Sequence, residues 1–448
     1  MFNCSKISPN LVIANKKIGL KIFEMKLQKI LTQVSPFAGI NFINEDYDKS
    51  GFTQLIDSQL GTRCKPIGFS YSDIVKNLMN IFYCGGDCAE DIQSHLGEDL
   101  KSIPGNLVPS ADTILRGIKE LATENTSYES INNIKYNCNI NKKLNDLSIK
   151  SLLLTKQLEK GFFYDYDYDN QILPTEKYDT KKTYKKLNGY FPGVATIGNK
   201  IVYIENRDGN ANVKFEQAAT LTRSYNLLAD NGIRIFRSRM DAGSYSKEII
   251  KVVAKNSKLF YIRANKSAEL YRQVSNIDTW VEVEINYKKY EVASILFEQF
   301  FKEENYRLVV MREKGASAQL DLFTGDTFIY RSILTNDWKN SEKEIIEYYN
   351  QRGTIEKEFD VMNNDFGWKH LPCSFMNENT AYMIIMAMAK NYYNYYVAKV
   401  AIVFENIKPT TRLKRFIFRF ISVAGKWRYA GRQWILTLFT KQPYELLI

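Results

Sequence analysis

The chain is poor in the residues that many hydrolases and metalloenzymes use. It has two histidines, His95 and His370, in 448 residues, so a histidine base or a histidine-rich metal centre is not expected. Six cysteines are scattered, and only Cys84 and Cys88 lie close together. One Cys-x3-Cys without a second pair is not a zinc framework. Reduced thiols in a cytoplasmic protein are expected instead. Long apolar runs are missing too. The most apolar stretch, Ala381 to Phe404, is interrupted by Lys390, Asn391, Asn394 and Lys399, which fits a buried helix and not a membrane span. Residues 1–23 have no signal-peptide layout. Between Asn406 and Tyr444 there is no Asp or Glu at all.

What is present balances those absences. Net charge is +11, which points to a polyanionic partner, nucleic acid first. The acid-free stretch holds nine cations: Lys408, Arg412, Lys414, Arg415, Arg419, Lys426, Arg428, Arg432 and Lys441. Aromatics such as Phe416, Phe418, Trp427 and Trp434 are interleaved with them. Contact with DNA phosphates through Arg412, Lys414, Arg415, Arg419, Lys426 and Arg428 is the reading, with a merely solvated basic face as the plain alternative.

Along the chain, residues 1–150 read as helices and loops, with Ser110 as a helix cap. This N-terminal mainly α-helical domain is either a DNA-binding module or a structural cap. Residues 151–266 alternate strands and helices. "GFFYDYDYDNQIL" is strand-like, Gly198-Asn199 reads as a hairpin turn, a helix closes at Gly232, and Ser244 is placed as a helix cap. Residues 267–335 alternate apolar and polar, as a β-rich insertion with one solvated face. Residues 336–405 turn helical, with a capping box at Ser341 and Glu344. Residues 406–448 are expected to be a basic helical segment. The overall class is α/β.

Chemistry is concentrated in carboxylates. A strand alternates its faces, so Asp165, Asp167 and Asp169 line one side. A second acid, Asp241, ends the strand-like "IRIFRSRM", where a tight turn exposes a carboxylate at the sheet's carboxyl edge. A third, Glu356, lies on the helix after Ser341. At about 100° per residue, Tyr349, Arg352, Glu356 and Asn363 share one narrow helix face. Three gathered carboxylates need cations. Hard oxygen ligands favour Mg²⁺ or Mn²⁺, and two ions suit in-line displacement at phosphate.

These residues resemble the acidic triad of bacterial insertion-sequence DDE transposases, and the chain is most similar to the thirteen-eighty family. Tyr349, Arg352, Glu356 and Asn363 follow the spacing of that group's Y-(2)-R-(3)-E-(6)-K helix signature, with Asn363 in the place of Lys. The resemblance implies an RNase H-like catalytic core interrupted by the β-rich insertion. It implies Asp169, Asp241 and Glu356 as catalytic metal ligands, with Asp167 as a further ligand candidate. Two Mg²⁺ or Mn²⁺ ions per site are implied as well. Tyr349, Arg352 and Asn363 would position DNA. An insertion Trp, Trp280 or Trp338, would stack on a flipped base or pack in the core. The implied activity is strand cleavage at terminal inverted repeats and transfer of 3′-hydroxyl ends into target DNA. A homodimer would join two ends, in the bacterial cytoplasm at the nucleoid and away from membranes. Two alternatives share these residues: a catalytically inactive, repurposed DNA-binding protein, and an RNase H-like nuclease.

Overall fold

The computed structural model describes residues 27–29, 31–63, 68–297, 299–301, 303–315 and 327–448. The first 26 residues, on which part of the N-terminal reading rests, lie outside the described residues.

Alternation along the chain builds the strands. They are β1 (Thr126–Glu129), β2 (Lys135–Asn139), β3 (Phe163–Asn170), β4 (Leu173–Pro174), β5 (Lys181–Lys182), β6 (Asn188–Tyr190), β7 (Gly193–Ile197) and β8 (Lys200–Arg207). They continue with β9 (Arg234–Met240), β10 (Leu259–Arg263), β11 (Val281–Ile285), β12 (Lys288–Leu296), β13 (Arg307–Lys314), β14 (Phe328–Thr335), β15 (Gly425–Ala430) and β16 (Gln433–Leu438). The large sheet runs β1-β2-β8-β7-β3-β9-β10-β14-β13-β12-β11. At its centre β3, β9 and β10 are parallel, whereas β7 is antiparallel to β3 and β14 is antiparallel to β10. The strands of residues 267–335 therefore continue the central sheet from β10 outward.

Both faces of β3 behave as alternation demands. Tyr166 and Tyr168 are fully buried, and the Tyr166 ring packs 4.7 Å from Tyr225 on the helix Gln217–Asp230. The aspartates take the other face. Tyrosine burial of this kind contributes about 2 kcal/mol per side chain, which holds the strand in register.

A second core joins the N-terminal helices to the helix Met376–Val400. Lys390 and Asn391 on that helix are each 1% exposed. Asn391 accepts from the Ile201 amide and donates to the Ile201 carbonyl, and Lys390 is ion-paired with Glu358. The polar residues that interrupt the apolar run thus have internal partners. No helix among the described residues is long and apolar enough to cross a membrane.

Several local expectations hold. Ser110 and Ser341 cap their helices, and Glu344 completes a capping box. Gly198 (φ +59°) turns β7 into β8, and Gly232 (φ +78°) follows the helix that it closes. Others are corrected. Ser246, not Ser244, caps the helix Lys247–Asn256, because Asp241 first folds the chain into a 3-10 turn over Ala242–Ser244. Residues 126–139 are not part of a helical unit, since β2 pairs with β8. The C-terminal segment is not helical throughout. After a short helix, Leu413–Phe416, and a π turn, Ile417–Ile421, it forms the β15–β16 hairpin. Gly431 (φ +59°) and Arg432 (φ +62°) supply the two left-handed positions that such a turn requires.

Candidate active site

The site lies at the carboxyl edge of β3, β9 and β10. Parallel pairing sets Asp165 beside Arg237 and Asp167 beside Arg239. Arg237 donates two hydrogen bonds to Asp165, at 2.8 and 2.7 Å. Arg239 donates two to Asp167, both at 2.7 Å. One step further along both strands the pattern changes. Asp169 faces the position of Asp241, so the third rung has an acid on each side.

That difference governs the electrostatics. Asp169 is pushed up to about 6, first by burial and then by the Asp241 carboxylate, with Arg352 opposing. Arg352 donates to Asp169 at 3.0 Å and lies 3.5 Å from Glu356. Burial works against the Arg352 charge, yet Asp169, Tyr349 and Asp241 hold its pKa above the ordinary range. The three acids of the sequence reading therefore surround one guanidinium. Their oxygens do not all fall within 4.8 Å of one another, which like charge and the interposed Arg352 account for.

The helix reading changes in one respect. The helix Glu342–Asn350 passes through a 3-10 turn, Gln351–Gly353, into the helix Thr354–Asp365. Glu356 and Asn363 both belong to the second helix, and the seven residues between them carry Asn363 about 10 Å further along its axis. Arg352 and Glu356 stay at the acids, but Asn363 does not. Asn363 lines a separate cavity of about 590 Å³ with Lys369, His370 and Lys414. Tyr349 is 7% exposed and donates to the Met240 carbonyl at 3.2 Å, so its hydroxyl braces the helix against β9. Glu356 is the open member of the group, with 66% of its side chain exposed.

The remaining candidates separate by their partners. Both Asp167 oxygens accept from Arg239, and the Asp167 side chain is buried. Arg412 is paired with Asp360 and Asp365, and Arg419 donates to the Asn406 carbonyl. Lys414, Arg415, Lys426 and Arg428 have no ion pair among the described residues. Trp280 has the Arg312 guanidinium 4.0 Å over its ring. Trp338 lies at the wrong end of the strands. Asn336 bonds the start of β10, through the Phe260 amide and the Lys258 carbonyl, whereas Asp241 is level with the end of β10.

Arg263, absent from the sequence candidates, closes β10 at the acid edge. Burial lowers its pKa; Tyr349 opposes that, and Arg331 and Arg352 add to it. It makes no ion pair among the described residues. A part-buried cation without a counter-ion is costly and fits an arriving phosphate. Its sequence signal is the last position of "KLFYIR", one strand after Asp241.

Hard carboxylate oxygens on adjacent strand ends suit Mg²⁺ or Mn²⁺, and the raised Asp169 pKa marks a place where added positive charge stabilises the fold. A second acidic group, Asp87, Cys88 and Asp91, has its ligand atoms within 4.8 Å of one another. There, one Asp91 oxygen already accepts from the Asp87 and Cys88 amides. Cys84, the other half of the Cys-x3-Cys, is buried and outside that group.

No curated protein matches the chain. Among solved structures, the chain is similar to a piggyBac transposase in a synaptic complex with hairpin DNA, seen by cryo-EM. That similarity has 11% identity and a TM-score of 0.42, over 86% of this chain and 79% of that one. Residues 24–448 match the family described as transposase DDE domain group 1, and the chain belongs to that family of DNA-cutting and DNA-joining enzymes.

Proposed function

We propose that this transposase serves an insertion sequence. It cleaves DNA strands at the terminal inverted repeats and joins the 3′-hydroxyl ends to target DNA. Asp169, Asp241 and Glu356 are its catalytic carboxylates. The observation that carries this reading is the acid-acid third rung, set beside two neutralised rungs on the same strands. The central strand order, β8-β7-β3-β9-β10 with β7 alone running against the other four, supports an RNase H-like core. Residues 267–335 then form an insertion that widens the sheet.

Each residue has a role that its surroundings support. Asp169 and Asp241 would hold divalent cations, Mg²⁺ or Mn²⁺, two per site, with Glu356 completing the set from the helix. Bound there, such ions lower the pKa of an attacking water and stabilise a leaving oxygen. Arg352 would turn from the acids to the DNA backbone, where a guanidinium fork suits phosphate. Arg263 would hold a phosphate beside it. Lys414, Arg415, Lys426 and Arg428 would extend the contact along the duplex. Two chains would bring two ends together, in the cytoplasm of a bacterium at its nucleoid.

A purified full chain, given labelled repeat ends and Mg²⁺, should nick and then join them. Asp241→Ala and Glu356→Ala should each abolish both steps while leaving repeat binding intact. Full activity in either variant would overturn the assignment. A repurposed DNA-binding protein would bind repeats and never cut. The facing acids argue against it, because without a cation to gather they only destabilise the sheet.

A further inference from the structure

We propose that Arg239 is a positioning residue for the acid centre: it sets the helix that carries Arg352 and Glu356 against the strand that carries Asp169. This inference rests on the reading of Asp169, Asp241 and Glu356 as the metal-binding set. Arg239 lies outside the Tyr349, Arg352, Glu356 and Asn363 signature spacing.

The geometry is that of a three-way tie. Two nitrogens of the Arg239 guanidinium are spent on Asp167 of β3. The third, Nη1, donates to the Tyr348 carbonyl at 2.9 Å. The same guanidinium sits 4.6 Å over the Tyr348 ring, and Arg237 sits 4.1 Å over it. The next residue, Tyr349, returns a bond to the Met240 carbonyl on β9. Two successive residues at the end of the helix Glu342–Asn350 are thus fixed to β9, Tyr348 through its backbone carbonyl and Tyr349 through its side-chain hydroxyl. The 3-10 turn starts at Gln351, two residues after Tyr349. Any shift of Tyr348 is passed through that turn to Arg352 and Glu356.

The tie is also insulated. Asp167 and Arg239 have side chains 1% and 8% exposed. Water does not compete for their bonds, and a planar fork that serves a carboxylate and a carbonyl together cannot be copied by an ammonium. The outer rung, Asp165 and Arg237, is about one third exposed, at 30% and 34%. It touches Tyr348 only through the ring. The inner rung therefore carries the positioning and the outer rung does not.

The experiment uses the full-length protein with Mn²⁺ as the probe. Mn²⁺ affinity is read by electron paramagnetic resonance without DNA. Cleavage rate at saturating repeat DNA and the DNA concentration for half-maximal rate are read separately. Arg239→Lys keeps the charge and loses the fork. It should weaken Mn²⁺ binding by about tenfold and slow cleavage by about 10- to 100-fold. The half-saturating DNA concentration should stay within about twofold, as expected when the lost contact does not touch DNA. Arg237→Lys should change each quantity by less than about twofold. Should Arg239→Lys not fold, the double variant Asp167→Asn/Arg239→Gln removes both buried charges and should show the same Mn²⁺ and rate losses. Unchanged Mn²⁺ affinity and rate in a folded Arg239 variant, or equal losses in Arg237→Lys, would overturn the positioning role alone. Failure of the wild-type protein to bind Mn²⁺ would instead overturn the metal reading on which it stands.

Discussion

Two ends of one strand pair differ in kind. At the amino end of β3 and β9, each aspartate meets an arginine. At the carboxyl end, Asp169 meets Asp241 and the nearest cation, Arg352, comes from a helix far along the chain. Spacing, strand and face are the same, so the contrast isolates what the third rung gives up. The closed rungs fix the register of the sheet. The open rung is left short of positive charge, and that deficit is what a divalent cation can satisfy.

The comparison is easiest to break at the open rung. Asp169→Ala or Asp241→Ala should reduce strand cleavage by at least about 1,000-fold, the scale of a lost electrostatic catalytic element, as read in a single-turnover assay. Their folds should survive. Asp241→Asn should melt at the same temperature as the wild type or above it in the absence of metal, because it relieves a like-charge pair.

A closed rung should behave in the opposite way. Asp167→Ala leaves Arg239 buried without its carboxylate, a loss of about 3–5 kcal/mol, measured by urea unfolding. Burial raises the Asp167 pKa, and the hydrogen bonds and charge of Arg239 oppose it. If Asp167→Ala were as stable as the wild type, the division between structural and catalytic rungs would fail.

Arg263→Ala sharpens the picture from the DNA side. Repeat-end affinity should fall, and the slope of log affinity against log salt should lose about one unit, with thermal stability unchanged or raised. The smallest effect belongs to the outer rung. Asp165→Ala should cost no more than about 1 kcal/mol, since that pair is partly solvated, and cleavage should be near normal.

Much of this contrast was readable in the sequence, and some was not. Period-two alternation put Asp165, Asp167 and Asp169 on one face, because the tyrosines between them needed a core. The capping box at Ser341 and the turn at Gly198 are local, so they were found. "RIFRSRM" carries the same period and ends in Asp241, but which residues it opposes depends on long-range pairing. The two arginines were therefore missed as the partners of Asp165 and Asp167. Asn363 shares a helix face with Glu356 but lies about 10 Å further along the axis, beside another cavity, because a shared angle does not fix axial distance. That Trp338 lies at the end of the strands away from Asp241 follows from the antiparallel pairing of β14 with β10, which is a tertiary fact. The C-terminal hairpin has a local signal of its own, since Trp427, Tyr429, Trp434 and Leu436 alternate around Gly431, a period that fits strands and not the basic helical segment expected there.

The central claim is that the open rung gathers the cation. Fe²⁺ bound in place of Mg²⁺ and supplied with hydrogen peroxide and ascorbate is oxidised to Fe³⁺ as the peroxide splits to hydroxide and a hydroxyl radical, which cuts the protein backbone close to the metal. The account predicts fragments ending near Asp169, Asp241 and Glu356, suppressed by excess Mg²⁺ and lost in Asp241→Asn. Fragments confined to Asp87–Asp91, with the strand ends intact, would contradict it.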